Sequence, residues 1–94
     1  MLVITRKIND ITQIGENITV KVVKIKDGKV DFKITLLGGI IRDEVMVYND
    51  EVQLDRDVKI KVVKIVGESK ISLGISAPQD MAVVRVPKDQ RINR

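Results

Sequence analysis

The sequence predicts an all-β protein, a small barrel or sandwich made of two related β units in a single chain. Three observations carry that expectation. Aliphatic and polar residues alternate with a period of two, so that Thr19 and Lys21 oppose Val20 and Val22, and Lys59 and Lys61 oppose Ile60 and Val62. No stretch of ten residues holds a helical period. The run Val20-Lys21-Val22-Val23-Lys24-Ile25 also returns forty residues later as Ile60-Lys61-Val62-Val63-Lys64-Ile65. Both copies open from an acidic turn and leave through a short polar turn into another β-rich stretch, as expected of one supersecondary unit used twice.

The elements follow in order. β-Branched residues predict strands over 2–7 and 11–14, with Asn9-Asp10 turning between them. The repeated run predicts 18–25, and Asp27-Gly28 turns it into a strand over 29–36. Gly38-Gly39 breaks the chain before a strand over 40–48. Asn49-Asp50 is a hairpin signal between that strand and a short one over 51–54. The second copy of the run predicts 58–66, and Gly67-Glu68 leads into 70–75. Pro78 closes that strand, and 81–86 is the last, bounded by Pro87. Residues 88–94 suit one helical turn with Pro87 at its first position, or a frayed end. Within both copies of the run the Val-Val doublet shifts the alternation, leaving Lys24 and Lys64 on the apolar side. A β-bulge or strong coiling at each doublet would restore the phase.

Composition narrows the chemistry. With 94 residues the chain is one domain, and neither half is large enough to stand alone. It contains no cysteine and no histidine, which removes disulfides, thiolate nucleophiles, imidazole bases and the usual zinc sites. Nothing gathers a nucleophile, a base and oxyanion donors, so no enzyme, cofactor or metal is expected. No apolar run is long enough to cross a bilayer and the start lacks a signal-peptide core, so a cytoplasmic location is expected. Seventeen basic residues against thirteen acidic ones give a net charge of +4, which favours an anionic partner. With one Phe and one Tyr, the chain lacks the means for a base-stacking platform, and recognition would fall to backbone groups, arginines and aliphatic side chains.

Both ends of the chain carry a motif. Met1-Leu2-Val3-Ile4-Thr5-Arg6-Lys7 followed by Ile14-Gly15 resembles the opening of the carbon storage regulator (CsrA/RsmA) family of small bacterial RNA-binding translational regulators. Asp57-Val58-Lys59-Ile60, Ile71-Ser72-Leu73-Gly74-Ile75, Ser76-Ala77-Pro78, Met81-Ala82-Val83-Val84-Arg85 and Gln90-Arg91-Ile92 resemble the rest of that family in the same order. The chain is some forty residues longer than a simple member, and the excess reads as a second copy. Copy one is expected over about 1–42 with a reduced fifth strand, and copy two over about 43–94 with a degraded first strand. The chain departs from the family at Val84-Arg85-Val86-Pro87, where His-Arg and acidic residues are usual, and at Asn9-Asp10, where Gly-Glu is usual.

The resemblance implies a site. Family members are interlocked homodimers in which RNA lies on the first strand of one protomer and the last strand of the other. A single chain folded as a pseudo-dimer would join its two well-kept strands into one such site, and the other site would pair two degraded strands. Ile4, Thr5, Arg6 and Lys7 would form one wall. Met81, Ala82, Val83, Val84 and Arg85 would form the other, with Arg85 reading guanine in a GGA triplet presented by single-stranded or hairpin-loop RNA. Taken singly, Arg6 and Arg85 read as solvated strand arginines, and only the motifs give them a role. Lys21, Lys24, Lys61 and Lys64 read as solubilising or edge-guarding residues. The implied function is post-transcriptional control of mRNA or small-RNA targets by occlusion. The alternative is a protein-interaction module that sequesters a CsrA-type regulator or its flagellar antagonist without binding RNA. A strand-exchanged homodimer is the alternative to the pseudo-dimeric monomer.

Overall fold

A computed structural model describes residues 1–86 and arranges them as nine strands. They are β1 (Leu2–Lys7), β2 (Ile11–Ile14), β3 (Ile18–Lys26), β4 (Lys29–Thr35), β5 (Ile41–Val47), β6 (Glu51–Asp55), β7 (Val58–Val66), β8 (Lys70–Ser76) and β9 (Val83–Val86). The only other element is a 3-10 turn at Leu37–Gly39. The helical turn expected over 88–94 lies outside the described residues.

Two antiparallel sheets result, one of four strands in the order β1-β8-β7-β6 and one of five in the order β5-β4-β3-β2-β9. The halves of the chain trade strands. β1 leaves the first half to pair with β8, with Leu2 opposite Ile75 and Lys7 opposite Lys70. β5 pairs with β4 in the matching way, with Val47 opposite Lys29. β9 crosses back to β2, with Ile14 opposite Val83 and Thr12 opposite Arg85. The chain is therefore a single-chain pseudo-dimer, and neither half completes a sheet by itself.

The forty-residue repeat holds in three dimensions. Asn9 N–H donates to the Val22 carbonyl at 2.7 Å, and Asn49 N–H to the Val62 carbonyl at 2.7 Å. Lys7 N–H donates to Asp10 Oδ2 at 2.7 Å, and Val47 N–H to Asp50 Oδ2 at 2.9 Å. Both asparagines sit in the left-handed region, at φ 73° and 75°, which asparagine tolerates better than other side-chain-bearing residues. The expected bulges are present, with the β3–β4 register slipping between Val22 and Lys24 and the β7–β8 register between Val62 and Lys64. Each slip turns a valine off the core face and keeps Ile25 buried and Ile65 partly buried.

One continuous core lies between the sheets. Phe32, Ile14, Ile34, Met46, Ile60, Ile71 and Leu73 are fully buried, and both halves contribute. That shared interior is what a chain of under fifty residues per repeat needs, because neither copy could exclude enough water alone.

One expectation is corrected. The last strand starts at Val83 and not at residue 81. Gly15, at φ +64°, ends β2, and its N–H takes the Ala82 carbonyl at 2.8 Å, so the ladder runs out there. Met81 packs over Gly15 so closely that a Cβ there would meet Met81 Cγ at 2.9 Å. Gly38, at φ +83°, and Gly39, at φ +77°, reverse the chain, and Leu36 N–H bonds the Ile40 carbonyl at 2.7 Å. The chain then returns along β4 as β5. By the forty-residue offset β5 is the counterpart of β1.

Candidate nucleic-acid interface

β1 is an edge of the four-stranded sheet and β9 an edge of the five-stranded sheet; Met1 and Leu2 line a groove with Val83, and Arg6 lies within electrostatic range of Arg85. Alternation sets the inward side chains. On β1, Ile4 and Arg6 are buried while Val3, Thr5 and Lys7 are exposed. On β9, Val83 and Arg85 stand opposite the fully buried Ile14 and Thr12 and so share their inward face, because directly opposed residues of an antiparallel pair point the same way. An inward-facing residue on an edge strand is still open at its side. Arg85 is exposed for that reason, and among the described residues it has no hydrogen-bond or ion-pair partner.

Arg6 fastens the seam. It is 8% exposed, although the sequence alone suggests a solvated strand arginine. Its Nε donates to the Thr5 carbonyl at 2.9 Å, and its Nη1 crosses to the other sheet to reach the Ile11 carbonyl at 3.1 Å. Asp10 Oδ2 lies 3.8 Å from Nε. Burial pulls the guanidinium below its ordinary pKa, Asp10 opposes that pull, and Arg85 adds to it through like charge. Arg85 therefore lies within electrostatic range of Arg6, and the two cations share one edge of the molecule. Arg6, being an arginine, remains charged there.

Beside this pair runs an open groove of about 370 Å³. Met1, Leu2, Ser76 to Gln79, Met81 and Val83 line it. The nine residues singled out from the sequence divide accordingly. Ile4, Arg6, Val83 and Arg85 converge on the seam, with Ile4 and Arg6 beneath the surface. Thr5 and Lys7 stand on the outer face of β1, and Val84, opposite Gln13, on the outer face of β9. Met81 is half-buried against Gly15, and the Ala82 carbonyl is held by Gly15 N–H. Asp10 and Ile11, which hold Arg6, were not among the nine. The i,i+4 spacing of Arg6 and Asp10 was the available signal. Leu2 and Pro78 line the groove and were also missed.

The opposite seam is built differently. At the offset of forty, Arg42, Glu44, Met46 and Val47 stand where Leu2, Ile4, Arg6 and Lys7 stand on β1. The buried cation is thus replaced by Met46, 1% exposed. Arg42 bonds Glu44 Oε2 at 2.6 Å and reaches the Gln53 carbonyl of β6 at 3.2 Å, so its charge is matched locally. Among the described residues no strand lies outside β6. Only one of the two seams has both of its strands.

Thr12 is the polar residue that the fold leaves unserved. It is fully buried and its Oγ1 has no hydrogen-bond partner among the described residues, while its counterpart forty residues on is Val52. A buried hydroxyl without a partner costs about 1–3 kcal/mol, and valine has the same shape. Thr12→Val is therefore expected to raise the unfolding free energy by roughly 1 kcal/mol in a urea titration. A loss of stability would show that the hydroxyl is satisfied.

Two sheets that exchange their end strands, with two arginines within electrostatic range of each other on the first and last described strands, define a duplicated β protein. The family profile described as the CsrA global regulator protein family matches residues 1–48 and again residues 47–94. The chain belongs to that family, whose members are non-enzymatic RNA-binding regulators, and carries its unit twice. No individually curated protein and no solved structure matches it. Among the described residues no cluster of acidic side chains could hold a metal ion, and no helix is long and apolar enough to cross a membrane.

Proposed function

We propose that this protein is a cytoplasmic post-transcriptional regulator. It binds GGA-containing mRNA or small-RNA hairpins at the β1–β9 seam and controls translation by occluding the bound segment. The division between its copies lies at the head of β5, near residues 42/43. The observation that carries this reading is the Arg85 guanidinium, without a hydrogen-bond or ion-pair partner among the described residues, within electrostatic range of Arg6 on an edge strand from the other end of the described chain. Arg85 matches the fork geometry of guanine O6 and N7. The exposed Ala82 and Val84, with the main chain around them, border the base, and Met1 and Leu2 give the splayed nucleotides an apolar wall in place of aromatic stacking. Arg6 acts from below, tying β1 to β2 and adding positive potential. Lys7, exposed on β1, serves the phosphates.

A hairpin RNA carrying GGA in its loop tests this reading by titration against the same hairpin carrying CCA. Preference for GGA by tenfold or more is expected, and equal affinity or none would defeat it. Lys7→Ala is expected to lower affinity for both RNAs alike and to reduce the salt slope by about 0.7, the contribution of one phosphate contact on a single strand. An unchanged slope would remove Lys7 from the interface. The second reading, sequestration of a CsrA-type regulator or its flagellar antagonist without RNA, draws on the commitment of Arg6 to Asp10 and Ile11. Binding that depends on GGA counts against it.

A further inference from the structure

The duplication provides β2 and its counterpart β6, each with an outer edge, but among the described residues only one last strand. β9 covers β2, and the matching edge of β6 is uncovered among the described residues. This edge can accept hydrogen bonds. Arg42 reaches the Gln53 carbonyl from outside the sheet, so that carbonyl points away from β7. The Gln53 N–H points with it, since both groups of one residue lie on the same side of an antiparallel strand. On the other copy, Gly15, the counterpart of Asp55, bonds β9 through its N–H. We propose that the free edge of β6 is a docking site for an extended segment of a partner protein, which adds to the sheet as a tenth strand.

The chemistry of that strand can be read from β6 and from its existing neighbour. Glu51, Gln53 and Asp55 are exposed on one face, and Val52 and Leu54 turn toward the core on the other. β7 already meets this pattern with Lys61 opposite Glu51, Ile60 opposite Val52 and Lys59 opposite Gln53. Lys59 Nζ lies 3.8 Å from Glu51. A strand on the free side faces the same alternation and is matched by basic residues outside and aliphatic residues inside. The surroundings add to this preference. Residues 41–57 contain Asp43, Glu44, Asp50, Glu51, Asp55 and Asp57 against two arginines, within a chain whose net charge is +4.

This charge pattern disfavours the other occupants. RNA would meet carboxylates. A second copy pairing β6 to β6 about Gln53 would place Glu51 opposite Asp55, acid against acid. A basic, aliphatic peptide strand is the remaining fit, and its docking is independent of whether the β1–β9 seam binds RNA.

The probe is a synthetic peptide with the sequence of residues 58–64, Val-Lys-Ile-Lys-Val-Val-Lys, titrated onto the full chain and followed by amide hydrogen exchange. Slowed exchange at Gln53 and Asp55 is expected, with binding weakened at least tenfold when the peptide lysines are changed to glutamate. Arg42→Ala frees the Gln53 carbonyl and is expected to tighten binding several-fold, whereas Glu51→Lys weakens it tenfold and leaves affinity for the GGA hairpin unchanged. The proposal is overturned if the peptide leaves Gln53 unprotected, if the glutamate peptide binds as well, if RNA protects β6, or if the chain alone dimerises through this edge.

Discussion

Phe32→Ala is expected to lower the unfolding free energy by about 3–5 kcal/mol. Phe32 is 1% exposed, lies in the middle of β4 opposite Val22 and Glu44, and is the only phenylalanine in the core between the sheets. Truncation removes its burial and leaves a cavity that β-strands tied on both sides cannot close. The stability of a domain this size is about 5–15 kcal/mol, so a large share of it rests on one ring. The form of the transition is as informative as its position. Because β1, β5 and β9 all pair across the repeat boundary, the whole chain should unfold in a single step, with fluorescence of Tyr48 and far-ultraviolet circular dichroism moving together. Two separated transitions, one half outliving the other, would contradict a shared core.

Arg85→Ala is expected to leave that transition within about 0.5 kcal/mol of wild type, the usual range for an exposed side chain without partners. The same change is expected to weaken binding of a GGA hairpin by about 1–3 kcal/mol, or five- to 150-fold. The contrast between the two readouts follows from position. Arg85 faces inward from an edge strand, is open at its side and forms no ion pair among the described residues. Its charge is thus free to be spent on a ligand. The loss should be far smaller for a CCA hairpin, because a guanidinium reading O6 and N7 discriminates bases, whereas a phosphate contact does not. Equal losses on both RNAs would reduce Arg85 to a general phosphate contact.

The sequence made the strands legible because both of their signals are local. Val and Ile alternating with Lys fix which face is buried, and Asn9-Asp10, Asp27-Gly28 and Asn49-Asp50 fix where the chain turns. Even the bulges at Val23 and Val63 follow from a break in alternation. What the sequence obscured is set by pairing between distant segments. Residues 41–47 could be read as the worn end of one copy or the start of the next, and only the hairpin through Gly38-Gly39 decides that they lie beside β4 as the counterpart of β1. The burial of Arg6 was hidden for a similar reason. Its acceptor, Ile11, is five residues away in the chain but belongs to the other sheet, and nothing in local pattern says that an edge arginine will cross between sheets. That no strand lies outside β6 among the described residues was equally illegible, since it is a missing pairing rather than a residue.

The central claim is that one chain builds one complete RNA site from its two ends. It is tested most directly by counting GGA hairpins bound per chain in native mass spectrometry, with molar mass read from the same spectra. A monomer carrying one hairpin, and none at the same concentration after Arg85→Ala, is the predicted result. Two hairpins of equal affinity on a single chain, or binding that requires two chains, would contradict it.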